Sequence, residues 1–182
     1  MIRIIAGNYK KRKLNSVPGH STRPTSDFNR EMIFSTYQEF CGKRILDLFA
    51  GTGAFGLEAL SRGAAWADFV EFASPAIATL LSNIELLGCE DICHVYRKKV
   101  QSYLKNCPQK YDIIFLDPPY DKNLVNPTLQ AIYDNDLLNK DGVIIAERSR
   151  RERIDAAFSP YLVKEKEGST CSFSWLSQSP IQ

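Results

Sequence analysis

"ILDLFAGTGAFGLEAL", residues 45–60, reads as a strand, a turn and a helix in immediate succession. Ile45, Leu46, Leu48 and Phe49 make an apolar run broken only by Asp47. Gly51, Gly53 and Gly56 then form G-x-G-x-x-G, and the chain continues into a helix-forming stretch. A short apolar run that feeds a helix through glycines is how a strand of a parallel sheet reads, because helices cover both of its faces. The same unit recurs outward. Strands are expected at 44–49, 67–72, 92–97, 111–117 and 142–147, and helices at 54–62, 75–87, 99–106, 124–133 and 151–158. The segment "YLVKEKEGSTCSFSWLS" breaks this rhythm and reads as two strands turning at Gly168. The expected fold is α/β, a mostly parallel seven-stranded sheet with helices on both faces and a C-terminal antiparallel hairpin.

The glycine loop carries the first chemistry. Glycines let a turn adopt positive φ and let a ligand touch bare backbone. Glu71 ends the next strand about twenty residues on, where a carboxylate accepts hydrogen bonds from both hydroxyls of a ribose. An adenosine-containing ligand at the carboxyl ends of the strands is therefore expected. A tight turn with no ligand accounts for the glycines alone. Asp47 bears on which ligand it is: an anion beside the loop opposes a pyrophosphate and favours an ammonium or sulfonium, which points to S-adenosylmethionine. Asp47 facing away and capping a neighbour is the alternative.

"YDIIFLDPPYD", residues 111–121, carries the second. Its strand should lie beside the first, at the switch point where ligands bind in open α/β sheets. Pro118 and Pro119 fix φ and donate no hydrogen bond, and each holds its predecessor out of helix. The Asp117 carboxylate and two carbonyls are thereby set as acceptors, with Tyr120 as a flat face beside them. A planar group bearing an exocyclic NH2 fits, its two N–H donors meeting Asp117 and the Pro118 carbonyl. Base stacking on an aromatic is worth about 1–3 kcal/mol. The bland reading is a rigid Pro-Pro turn after a core strand.

The chain has 182 residues, 44% hydrophobic and 24% charged, with a net charge of +2. These are values of an ordinary soluble globular protein. No apolar run reaches membrane-spanning length and "MIRIIAGNYKK" is no signal peptide, so a cytoplasmic location and no membrane partner are expected. The five cysteines are odd in number and irregularly spaced and read as reduced thiols. Cys89, Cys93 and His94 lack a second paired cluster, so core cysteines rather than a metal site are expected there. The charge is uneven. Residues 1–44 hold nine basic and three acidic side chains. This segment, 1–42, reads as a hairpin, a loop "PGHSTRPTS" and a helix from Asp27 to about residue 40 capped by Ser26 or Asp27, set before a domain at 43–182. Lys10, Lys11, Arg12, Lys13, Arg23 and Arg30 are its candidate polyanion contacts. A solvated basic face is the alternative for any one of them, and Arg23 and Arg30 could instead pair with Asp27 or Glu31. "RSRRER", residues 148–153, reads as a solvated helix start, with a substrate contact as the alternative.

Taken together these residues resemble a known family. "IIFLDPPY" looks like the signature of amino-methyltransferases, and "DLFAGTGAFGLEALSRGA" looks like the S-adenosylmethionine motif of class I methyltransferases. With "RIIAG" and "RPTSDFNREMIF", the chain closely resembles the RsmD family from about residue 2 to 147. That resemblance implies a Rossmann-like class I methyltransferase acting on N2 of a guanine in small-subunit (16S) ribosomal RNA, free or within an assembly particle. It implies S-adenosylmethionine as donor, S-adenosylhomocysteine as product and no metal; a monomer is expected. The cofactor-binding residues would be Asp47, Phe49, Gly51, Gly53, Glu71 and Phe72, the catalytic ones Asp117, Pro118, Pro119 and Tyr120, and the RNA contacts Lys10, Lys11, Arg12, Lys13, Arg23 and Arg30. The sequence departs from the family pattern at Lys11, usually glycine, at Phe28, usually basic, and at Ala73, often an acid or amide. Lys98 and Lys99 stand where an Asp or Asn often reads the adenine amine.

Three other functions share parts of this pattern. A nicotinamide-dependent oxidoreductase would use the glycine loop and Glu71 but leaves the Asp-Pro-Pro-Tyr segment idle. An amino-methyltransferase acting on adenine N6 or a protein glutamine uses the same clamp. A non-catalytic RNA-binding assembly factor would need neither site.

Overall fold

Alternate residues of the central strands feed two separate cores, which is why those strands are apolar throughout. In the strand Tyr111–Leu116, Ile113 and Phe115 join one buried cluster, and Ile114 and Leu116 the other. The computed structural model describes residues 2–18, 27–120, 122–168 and 170–181, with Asp27 by its backbone alone.

The main sheet has seven strands. In chain order they are β3 (Arg44–Leu48), β4 (Trp66–Glu71), β5 (Cys93–Arg97), β6 (Tyr111–Leu116), β7 (Leu138–Ser149), β8 (Leu162–Glu167) and β9 (Cys171–Ser177). Their spatial order is β5-β4-β3-β6-β7-β9-β8. The first five in chain order run parallel, while β9 inserts antiparallel between β7 and β8. The chain winds outward from β3 to β5 and returns to β6 on the other side of β3, so the switch point lies between β3 and β6. The helices α1 (Asp27–Thr36), α2 (Ala54–Ser61) and α3 (Ser74–Leu87) supply Phe34, Phe55, Leu80 and Ile84 to the first core. The second core receives Leu104 from α4 (Val100–Leu104) and Leu129 from α5 (Val125–Asp134). Among the described residues no helix is long and apolar enough to cross a membrane.

A two-stranded antiparallel ladder of β1 (Ile2–Arg3) and β2 (Lys13–Leu14) opens the chain, as expected. Its turn is tied to α2. Glu58, fully buried, accepts hydrogen bonds from the backbone N–H of Ile5 at 2.6 Å and of Ala6 at 3.0 Å, and from Arg62 Nε at 2.8 Å. Gly7 at φ +81° lies so close to α2 that a Cβ there would meet the Ser61 carbonyl oxygen at 1.8 Å. Lys11, where the family pattern has glycine, also takes a left-handed backbone, φ 70°. The family glycine thus has a conformational reason that this chain overrides.

Several boundaries differ from expectation. Helix α1 ends at Thr36, where the Ser35 and Thr36 hydroxyls donate to the Met32 carbonyl and compete with the helical ladder. Phe40 instead turns inward beside Phe34, with ring centroids 4.8 Å apart. The helix expected at 151–158 is absent. Strand β7 carries on through Arg148 and Ser149, paired with Ser172 and Cys171, and only a short 3-10 turn, Ala156–Tyr161, follows. Arg148 is accordingly no solvated helix start: it is buried and donates to the Glu152 carbonyl at 2.8 Å and to Glu165 at 2.5 Å. The loop and the cap expected at Ser26 or the Asp27 side chain lie outside the described residues. The five cysteines are free, and Cys93 donates its thiol to the Cys89 carbonyl at 3.2 Å within the first core.

Candidate active site

Strand register sets the site. Leu48 pairs with Val70 on one side and Leu116 on the other, and Leu116 pairs with Ala146. The next residues of four adjacent strands, Phe49, Glu71, Asp117 and Glu147, therefore stand at one level, although β7 itself runs on to Ser149 beside β9. Alternation adds a second constraint. Ile45, Ile113, Phe115, Val143 and Ile145 face the first core, so Asp47, Asp117 and Glu147 continue that face.

The glycine loop follows β3 with Phe49 at φ 59°, Gly51 at 55° and Gly53 at 77°. A Cβ on Gly51 would meet only the Phe49 carbonyl oxygen, at 4.0 Å, so the loop backbone faces open space there. Gly53 is the N-cap of α2 and has no side chain to offer. Asp47 supplies the oxygen instead, its Oδ2 accepting from the Gly56 N–H at 3.0 Å. This requires close approach: a Cβ on Gly56 would lie 2.4 Å from the Phe69 ring. Glu71 closes the loop from β4, accepting from the N–H groups of Gly51 at 2.8 Å, Phe72 at 2.7 Å and Ala73 at 2.8 Å. An ionised carboxylate offers about four lone-pair sites, so one remains for a ligand hydroxyl. Phe72 beside it is 61% exposed and borders a cleft of about 360 Å³ with Ile77, Leu81 and Arg97. The Lys99 ammonium stands 5.2 Å over its ring.

Asp47 is buried, and burial pushes its carboxyl up to about 8; the Gly56 N–H pulls it down and the Glu71 charge pushes it further up. The folded value exceeds the ordinary 3.8, so the folded chain keeps a proton that the unfolded chain releases. The stability tied to that proton is full below pH about 4 and is lost as pH rises toward 8. Asp47→Asn keeps an acceptor for Gly56 without this loss. Denaturant titration should show Asn gaining on wild type by roughly 1 kcal/mol per pH unit between pH 5 and 8. A pH-independent difference would show that Asp47 stays ionised.

In the Asp-Pro-Pro-Tyr segment, Pro118 is buried, Pro119 exposed and Asp117 half-buried. The Tyr120 hydroxyl donates to Glu147 Oε1 at 2.7 Å. Burial, then the charge of Glu147, holds that phenol far above its ordinary range, so it remains a neutral donor. Of the basic candidates, Lys10, Lys11, Arg12 and Lys13 are exposed, with Arg12 also donating to the Leu86 carbonyl. Arg30 is 2% exposed and donates to the Arg3 carbonyl at 2.9 Å, so it offers no surface guanidinium to a phosphate. Arg23 lies outside the described residues.

Two buried groups of this region were not singled out from the sequence. Asn83 of α3 donates to the Thr52 carbonyl in the glycine loop at 3.0 Å and to the Asn15 carbonyl at 3.2 Å, and accepts from the Asn15 N–H at 2.7 Å. The clue was an amide on the apolar stripe of Leu80, Ile84 and Leu87. The sequence marks Glu147 only as the end of a strand; its parity with Asp117 on the neighbouring strand is the available signal.

A sheet of this order, with a glycine loop after its first strand, an acid after the second and Asp-Pro-Pro-Tyr after the fourth, is a Rossmann-like class I methyltransferase fold. The SAH-bound Podospora anserina methyltransferase PaMTH1 shares it at TM-score 0.53 and 23% identity, over 57% of this chain and 45% of that one. The Escherichia coli protein yhhF superposes at TM-score 0.85 with 32% identity, covering 99% of both chains. The chain belongs to the RsmD family, whose model, described as Conserved hypothetical protein 95, matches residues 2–175. Ribosomal RNA small subunit methyltransferase D of Buchnera aphidicola is 34% identical over 167 residues, 91% of this chain and 87% of that protein.

Proposed function

We propose that this chain methylates the exocyclic N2 of a guanine in small-subunit 16S ribosomal RNA. The observation that carries this is the register that brings Asp117-Pro118-Pro119-Tyr120 out of β6 directly beside the glycine loop leaving β3. S-adenosylmethionine, when bound, supplies a methyl carbon on a positive sulfur. The residues present fit it: an open loop backbone at Gly51, Glu71 at the end of β4, and an exposed flat ring at Phe72. A dinucleotide fits less well, because the Asp47 carboxyl already occupies the α2 N-terminus where a pyrophosphate would sit.

Asp117 accepts one N–H of the guanine amine and the Pro118 carbonyl the other. This aligns the nitrogen lone pair and stabilises the positive charge that grows on it. The donor would yield its methyl group to this nitrogen, its sulfur keeping the electrons of the broken carbon–sulfur bond as S-adenosylhomocysteine. The amine proton leaves to Asp117 or to water. Tyr120 supports the base, and a paired guanine must leave its stack to reach it. Most of the acceleration comes from positioning, and no step calls on a metal.

The basic turn at residues 10–13 supports an RNA partner for the N-terminal segment. With four exposed cations on phosphates, the log–log slope of affinity against salt should be about −3 for a single-stranded segment. A flat response would remove the RNA role from this turn. The decisive experiment is transfer of labelled methyl groups to undermethylated small-subunit particles, naked 16S RNA and DNA. Label in the guanine of the RNA or particle arm supports the reading. Label in DNA alone, or in none, overturns it.

A further inference from the structure

Glu147 has no part in the chemistry above, yet it lies at the site. It ends the inner stretch of β7, 2% exposed, one residue past the pair Leu116–Ala146 and so level with Asp117. Burying a carboxylate is costly unless donors meet it. Here a buried acid takes the hydroxyl of Tyr120 at 2.7 Å, while the ring packs against the first core. Behind this pair, Asn29 of α1 donates to the sulfur of Cys171 on β9 at 3.1 Å, and burial, then the Glu147 charge, pushes that thiol up to about 12. The phenol is thus held at its tip by β7 and at its base by the Pro119 backbone. Ring rotation is restricted before any base arrives.

We propose that Glu147 is a positioning residue that fixes the plane of the Tyr120 ring for the substrate base through the Tyr120 hydroxyl. This rests on the methyl-transfer reading and goes beyond it by assigning a residue outside the Asp-Pro-Pro-Tyr segment. If the geometry is set through that one bond, losing either end should have the same consequence. A misplaced reacting group costs up to about 100-fold in rate. No group that touches the methyl donor changes, so cofactor affinity stays as it is.

The test is a double-mutant cycle of Glu147→Leu and Tyr120→Phe, read as kcat, KM for RNA and the Kd of S-adenosylhomocysteine. Each single variant should lower kcat roughly 10-fold or more with that Kd within two-fold, and the double variant should fall no further than the worse single. Glu147→Gln, which keeps an acceptor oxygen, should recover most of the activity. Should Glu147→Leu fail to fold, Tyr120→Phe and Glu147→Gln still decide. Full kcat in Tyr120→Phe, or Glu147→Gln below a tenth of wild type, overturns the proposal. Losses that multiply in the double variant overturn it as well, because a merely structural Glu147 acts independently of the hydroxyl. Absence of transfer by wild type overturns the underlying reading together with this one, whereas an active wild type with multiplying losses overturns this one alone.

Discussion

Asp117→Ala is expected to lower methyl transfer by about three orders of magnitude or more, with S-adenosylhomocysteine affinity within a few-fold of wild type. The separation follows from what holds each half of the site. The glycine loop is fixed by Glu71 through Gly51, by Asp47 through Gly56 and by Asn83 through Thr52. None of those bonds passes through Asp117. The carboxylate instead follows the end of β6, where in the proposed reaction its charge would answer the positive charge that grows on the attacking nitrogen. Removing one preorganised electrostatic partner of a transition state typically costs 100- to 1,000-fold, and in the proposed reaction the same group would also orient the amine. Asp117→Asn is the informative companion. It keeps an acceptor oxygen but not the charge, so it should retain more activity than Ala and less than wild type. Calorimetric titration with S-adenosylhomocysteine beside single-turnover transfer measures both halves. Collapse of both in Asp117→Ala would make Asp117 a structural residue.

The parallel core was legible because its strands carry their own period. Ile113 to Leu116 admit no solvent-facing side, and the glycines after Leu48 leave only a turn. The register-level row of Phe49, Glu71, Asp117 and Glu147 was half legible. Glu71 stands out by its spacing from the glycine loop and Asp117 by the prolines after it, whereas Glu147 follows an apolar strand with no local mark. Arg148 misled for a related reason. "RSRRER" has the composition of a solvated helix start, but pairing with β9 and an ion pair to Glu165 extend the strand through it. Arg30 shows the same limit. A guanidinium on an amphipathic helix reads as surface until the β1 carbonyl that receives it is known. Local pattern fixes periodicity; it does not reveal a long-range acceptor 27 residues away.

That same kind of long-range bond underlies the largest stability effect expected here. Glu58 sits on α2 among helix-forming, apolar neighbours and looks like an ordinary surface acid of the helix. It is fully buried, and it receives two backbone donors more than fifty residues away, Ile5 and Ala6, as well as Arg62 one turn along its own helix. The Arg62 guanidinium in turn lies 4.5 Å over the Phe34 ring of α1. One carboxylate therefore joins the N-terminal turn, α2 and α1. Glu58→Ala strips all three donors at once and leaves two backbone N–H groups and a partly covered cation without the charge that met them. Breaking a buried charge pair from one side costs about 3–5 kcal/mol. For a chain of this size that is roughly a 10 °C fall in Tm. Glu58→Gln should lose less, since one oxygen still accepts, though its amide would face a backbone donor. Because the basic turn at residues 10–13 follows directly on the segment that Glu58 holds, RNA affinity should fall in Glu58→Ala even where the protein remains folded. Cofactor binding through the glycine loop should change little. Urea unfolding, followed by RNA and S-adenosylhomocysteine titrations below the transition, would measure all three. A Tm within 2 °C of wild type would show that the N-terminal turn docks through its apolar residues, Ile2, Ile4 and Leu14, without need of the buried acid.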